Sequence, residues 1–128
     1  MVTTDALEDY LEVIYIIKKK KGCVQNIDIK EHLNLTASSV SIAIRRLKEK
    51  GYITQDHSDR KSFIFLTDKG LKLAEEIHER HHFIARVFMA IGVSEETAYK
   101  DSCKIEHALS EETFEKIKEH CSKHMKDI

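Results

Sequence analysis

Cys103, Glu106 and His107 place a thiol, a carboxylate and an imidazole within one five-residue stretch. Their spacing of i, i+3 and i+4 sets all three on one face of a helix. Thiolate, carboxylate and neutral imidazole are the common protein ligands of first-row transition ions, and a single helix can present all three to one ion. Two further carboxylates, Asp9 and Glu12, stand at i and i+3 beside Tyr10 and Leu11. Acids on the flank of an apolar face call for a compensating cation. Arg80-His81-His82 adds imidazoles. Cys103 and His107 could instead be read as nucleophile and base. A four-residue helical step projects them in parallel, however, and no Gly-rich loop offers an oxyanion hole, so an enzyme is not expected.

The elements that must position these residues follow from periodicity. Leu7, Tyr10, Leu11, Ile14 and Ile17 recur at three- and four-residue steps and predict a helix over 5–21, ended by Lys18 to Lys21 and Gly22. A short helix is expected over 27–33, with Asn34-Leu35 as the turn. Thr36 should cap a third helix whose apolar stripe is Val40, Ala43, Ile44 and Leu47. The period then changes to two: Tyr52 to Gln55 and Ser62 to Leu66 read as strands of a hairpin with a polar tip at His57 to Lys61. Thr67 or Asp68 should begin a long helix ended by Gly92, and Ser94 and Ser110 should cap two more, each with acids in its first turn.

Three helices, a hairpin and further helices form a mainly α chain. The expected architecture is a winged helix-turn-helix with a two-stranded wing over 1–66, followed by a helical domain over 67–128. In that arrangement the third helix enters the major groove and the wing touches the backbone or the minor groove. Thr36, Ser38, Ser39, Ser41 and Ile42 would offer hydroxyls and a small apolar contact to bases and phosphates. Arg45, Arg46 and Lys48, with Arg60 and Lys61 on the wing, would neutralise phosphates in a salt-sensitive way. Charge agrees with this: the chain's net charge is -1, yet residues 18 to 61 hold 11 Lys/Arg against five Asp/Glu, and the segment from Thr67 onward is net acidic.

No long apolar run or basic-then-apolar leader is visible, so a cytoplasmic protein without a membrane partner is expected. The three cysteines are odd in number and irregularly spaced, which argues against a disulfide framework. Cys23 is expected to be a small buried group. His32, His57, His78, His82, His120 and His124 read as surface or cap residues, and Cys121 with His124, at i and i+3, could hold a weak accessory ion.

The order Glu8-Asp9-Tyr10-Leu11-Glu12 with Ile14-Tyr15, Asp28-Ile29, Ser38-Ser39-Val40, Leu66-Thr67 with Gly70, Arg80-His81, Ile91-Gly92-Val93 and Ile105-Glu106-His107 resembles the diphtheria-toxin-repressor and manganese-repressor family, over nearly the whole chain to about residue 115. The resemblance implies a metal-dependent repressor of metal-ion homeostasis that binds double-stranded operator DNA as a homodimer through the helices after the wing. It implies a metal site of Asp9, Glu12, His81, Cys103, Glu106 and His107. Asp9 matches the manganese-sensing branch and Cys103 the iron-sensing branch, so the chain mixes the two. Ala85 and Tyr99 stand where the iron branch's second site has a carboxylate and a histidine, and the SH3-like third domain of longer members is not expected. The oxygen donors suit Mn2+ and Fe2+, the thiolate shifts the balance toward Fe2+, and Zn2+, Co2+ or Ni2+ are expected to bind in vitro. A winged-helix regulator gated by an organic ligand or by cysteine oxidation is the rival reading. Asp9 and Glu12 discriminate, since an organic pocket has no need of two carboxylates facing a thiol and an imidazole.

Overall fold

The computed structural model describes residues 4–57 and 62–124, with the side chains of Thr4 and Asp5 left out. Arg60 and Lys61 lie outside the described residues. The chain divides into two compact units, residues 1–76 and 77–128.

The first unit opens with α1 (Thr4–Lys21), whose predicted stripe is buried throughout: Leu7, Tyr10, Leu11, Ile14 and Ile17. Gly22 stops the helix with φ +85°, and its N–H donates to the Lys18 carbonyl. Cys23, expected inside, is exposed. The next residue, Val24, takes the buried position instead.

Helix α2 (Asn26–Leu33) begins with a reciprocal cap, in which the Gln25 N–H donates to Asp28 Oδ2 at 2.8 Å. It ends at Asn34, held in the left-handed conformation at φ 54°. Helix α3 (Ala37–Glu49) is capped by Thr36, which accepts the Ser39 N–H at 3.2 Å. Val40, Ala43, Ile44 and Leu47 are all buried. Each of the larger three contributes about 1.5–3 kcal/mol on leaving water, so the stripe holds α3 against α1 and α2 with its polar face outward.

Strands β1 (Ile53–Asp56) and β2 (Phe63–Leu66) pair antiparallel, with Ile53 opposite Leu66 and Thr54 opposite Phe65. Ile53 and Ile64 turn inward, and the Ile64 N–H donates to the Val24 carbonyl at 2.8 Å. Thr67 then does three things: its N–H donates to Tyr52, its hydroxyl donates to the Gly51 carbonyl, and that hydroxyl accepts from the Gly70 N–H. A β-carbon at Gly70 would overlap the Tyr52 carbonyl, so this close join between hairpin and helix requires glycine. The first unit is a winged helix-turn-helix.

Helix α4 (Asp68–Ala90) contains the boundary between the units. In the second unit it is followed by α5 (Glu95–Ala108) and α6 (Glu111–His124), capped by Ser94 and Ser110 as expected. Phe83, Ile84, Phe114 and Cys121 form its core, with Phe83 and Phe114 edge-to-face at 5.6 Å. The Arg80 guanidinium lies 4.7 Å over the Phe114 ring.

Candidate metal centre and nucleic-acid interface

In the first unit Asp9 is half-buried and Glu12 only 5% exposed. Neighbouring Tyr10 is buried too, which pushes its phenol above the ordinary value. Glu12 thus lies on the inner face of α1.

The second unit gathers a larger set on α4 and α5. Donor atoms of His81 and Glu106 lie within 4.8 Å of each other. Glu106 is 3% exposed, with both carboxylate oxygens buried, and Oε1 stands 3.6 Å from Nε2 of half-buried His107. Cys103, one turn earlier and half-buried, is not among the closely gathered donors of the described residues.

His81 has a defined orientation. Its Nε2 lies 3.0 Å from the Tyr99 carbonyl, and a carbonyl only accepts. Nε2 therefore carries the proton, and a neutral His81 keeps its lone pair on Nδ1. Such a contact to a backbone carbonyl fixes the tautomer of a metal-binding histidine. The same carbonyl accepts the Ser102 hydroxyl at 3.0 Å, and the Tyr99 hydroxyl bonds His82 Nδ1 at 2.8 Å. His82, expected at the surface, is thus a half-buried part of the α4–α5 join. Sequence reasoning missed Tyr99 and His82 as support for His81; the signal available was an imidazole pair on α4 with a phenol on the next helix.

These donors fit a divalent transition ion. Carboxylate oxygens and imidazole nitrogens are the right chemical set for such an ion.

The polar face of α3 forms the second candidate site. Thr36, Ser38, Ser41, Ile42, Arg45 and Lys48 are exposed, and Ser39 and Arg46 are half-buried. Thr36 and Ser39 are also engaged in the cap, with the Thr36 hydroxyl donating to Ser39 Oγ at 2.9 Å. Lys48 donates to Gln55 on β1, whose amide in turn donates to Asn26 and Ser62. Gln55 ties α2, α3 and the hairpin together, a role not foreseen from its type. A groove of about 660 Å3 runs along this face, and Asp9 lines it together with Ser39, Ile42, Arg45 and Arg46. One metal-type carboxylate and four of the predicted DNA-contacting side chains thus share a single surface.

Residues 2–60 match the family described as iron dependent repressor, N-terminal DNA binding domain. Residues 67–127 match the iron dependent repressor metal binding and dimerisation domain. The HTH-type transcriptional regulator MntR of Geobacillus kaustophilus is 35% identical over 114 residues, covering 89% of this chain and 79% of that protein. An HTH-type transcriptional regulator of Methanocaldococcus jannaschii is 34% identical over 118 residues, 90% of this chain and 91% of its own length. Among solved structures, a manganese-dependent transcriptional repressor in complex with manganese is similar with a TM-score of 0.78 at 25% identity. That likeness covers 91% of this chain and 52% of the other, so this chain spans about half the length of that repressor. With both halves matched and the winged helix-turn-helix in place, the chain belongs to the iron-dependent repressor family of metal-dependent transcriptional repressors.

Proposed function

We propose that this protein binds operator DNA and represses genes of metal-ion homeostasis when loaded with Mn2+ or Fe2+. The ligands are Asp9, Glu12, His81, Cys103, Glu106 and His107. Residues 1–66 carry DNA contact, through Thr36, Ser38, Ser39, Ser41, Ile42, Arg45, Arg46 and Lys48 of the capped α3, together with Arg60 and Lys61. Residues 67–128 carry dimerisation. A homodimer in the cytoplasm is the working form, because one winged unit contacts too few bases for operator-level specificity. The chain acts by binding alone, with no catalytic step. Zn2+, Co2+ and Ni2+ occupy the same ligands in vitro.

The observation that carries this reading is the groove shared by Asp9 and the α3 side chains Ser39, Ile42, Arg45 and Arg46. An ionised Asp9 there repels phosphates. A divalent ion held on that carboxylate reverses the sign of the local charge and favours the polyanion. The ion supplies positive charge and a restraint on its ligands; the α3 side chains supply the contacts. Coupling of this kind is typically about 1–3 kcal/mol, roughly 5- to 150-fold in affinity.

A fluorescence-anisotropy titration of a palindromic duplex tests the reading, run anaerobically with Mn2+, with Fe2+ and with chelator. Binding should strengthen with either ion and return to its basal level with chelator. Equal affinity in all three conditions would refute it.

A further inference from the structure

We propose that His120 and His124 form a second metal site on the exposed face of α6, a two-imidazole chelate for a divalent ion at the nickel-to-zinc end of the first-row series. The two residues stand one helical turn apart, and their ring centroids lie 4.4 Å from each other at a tilt of 40°. Both are exposed. Cys121, which the sequence suggested as a partner for His124, is instead buried among Phe83, Ile84 and Phe114. The thiol therefore faces the core, and the outward face offers a nitrogen pair. Two histidines at i and i+4 on one helix face are the spacing by which metalloprotease helices hold zinc.

Three features favour a cation at this position. The pair lies in the final turns of α6, where the negative end of the helix dipole attracts positive charge. Lys116 and Lys123 flank it, but both ammonium groups are drawn to Glu119, at 3.8 and 3.4 Å. Neither donor of the pair is an oxygen, so the hard ions Mn2+ and Fe2+ gain little here, whereas affinity of imidazole for Ni2+ and Zn2+ is higher along the series. Solvent completes the coordination shell. The site shares no residue with the proposed regulatory ligands and does not depend on that reading.

Calorimetric titration of Ni2+ into the full chain tests the site, comparing wild type with His120→Gln, His124→Gln and the double variant. Glutamine is a good helix former, so these exposed substitutions keep α6 folded, which unchanged thermal melting verifies. Each single variant should bind one equivalent of Ni2+ per chain fewer than wild type. The double variant should lose no more than either single one, because a chelate acts as a unit. His120→Gln should leave the effect of Mn2+ on DNA binding unchanged. Wild-type stoichiometry and affinity in both single variants would overturn the proposal, and so would two independent losses that sum in the double variant.

Discussion

Glu106 is a carboxylate 3% exposed, beside the donor atoms of His81 and His107. Glu106→Gln keeps its shape and removes its charge. Since loss of even a supporting hydrogen bond around a metal site costs roughly 10–100-fold in affinity, loss of this proposed ligand should lower Mn2+ affinity by more than that. The apo protein should stay folded, because the carboxamide fills the same space. Calorimetry and thermal melting check both, and wild-type Mn2+ affinity in Glu106→Gln would remove it from the ligand set. In the proposed ligand set, the Cys103 thiol is the donor that biases the choice of ion. Replacing its thiol by a hard carboxylate in Cys103→Glu should shift the ratio of Mn2+ to Fe2+ concentrations needed for half-maximal DNA binding toward Mn2+. An unchanged ratio in anaerobic anisotropy titrations would show that the sulfur is no ligand.

At the level of elements, most boundaries were legible because caps and periods are local. Thr36, Ser94 and Ser110 cap where their spacing said, Gly22 and Gly92 adopt the positive φ that ends a helix, and the α3 stripe is wholly buried. Less legible was whatever depends on a second element. Cys23 is exposed because the connection alternates Cys23 out and Val24 in, which no single-residue burial tendency reveals. The proton on His81 Nε2 is set by a carbonyl on α5, and the glycine at position 70 is required by a carbonyl at the end of the α3–β1 turn. Asp28 combines both kinds of constraint. Its partial burial alone would push the carboxyl up, but the Lys21 ammonium at 2.7 Å and the Gln25 N–H outweigh it and hold it below its ordinary value. Because the folded value is the lower one, the stabilisation is present above the unfolded carboxyl's pKa of about 3.9 and is lost as pH falls through the folded value. Asp28→Asn should therefore be less stable than wild type at neutral pH, by up to about 1 kcal/mol, because the cap becomes a neutral hydrogen bond and a solvent-screened ion pair is lost. The two should converge in acid. A stability difference in urea that stays constant from neutral to strongly acidic pH would contradict this.

For the whole molecule, the proposed switch couples metal binding to DNA binding. An ion that binds better when DNA is bound must, by linkage, make DNA bind better when the ion is present, and by the same factor. That reciprocity is independent of which ligand contributes most. The direct measurement is the Mn2+ affinity of the intact protein, determined calorimetrically with and without a saturating duplex selected for tight binding to the Mn2+-loaded form. Bound DNA is predicted to raise Mn2+ affinity by the same roughly 5- to 150-fold by which Mn2+ raises DNA affinity; a Mn2+ affinity unchanged by DNA would contradict a metal-operated switch.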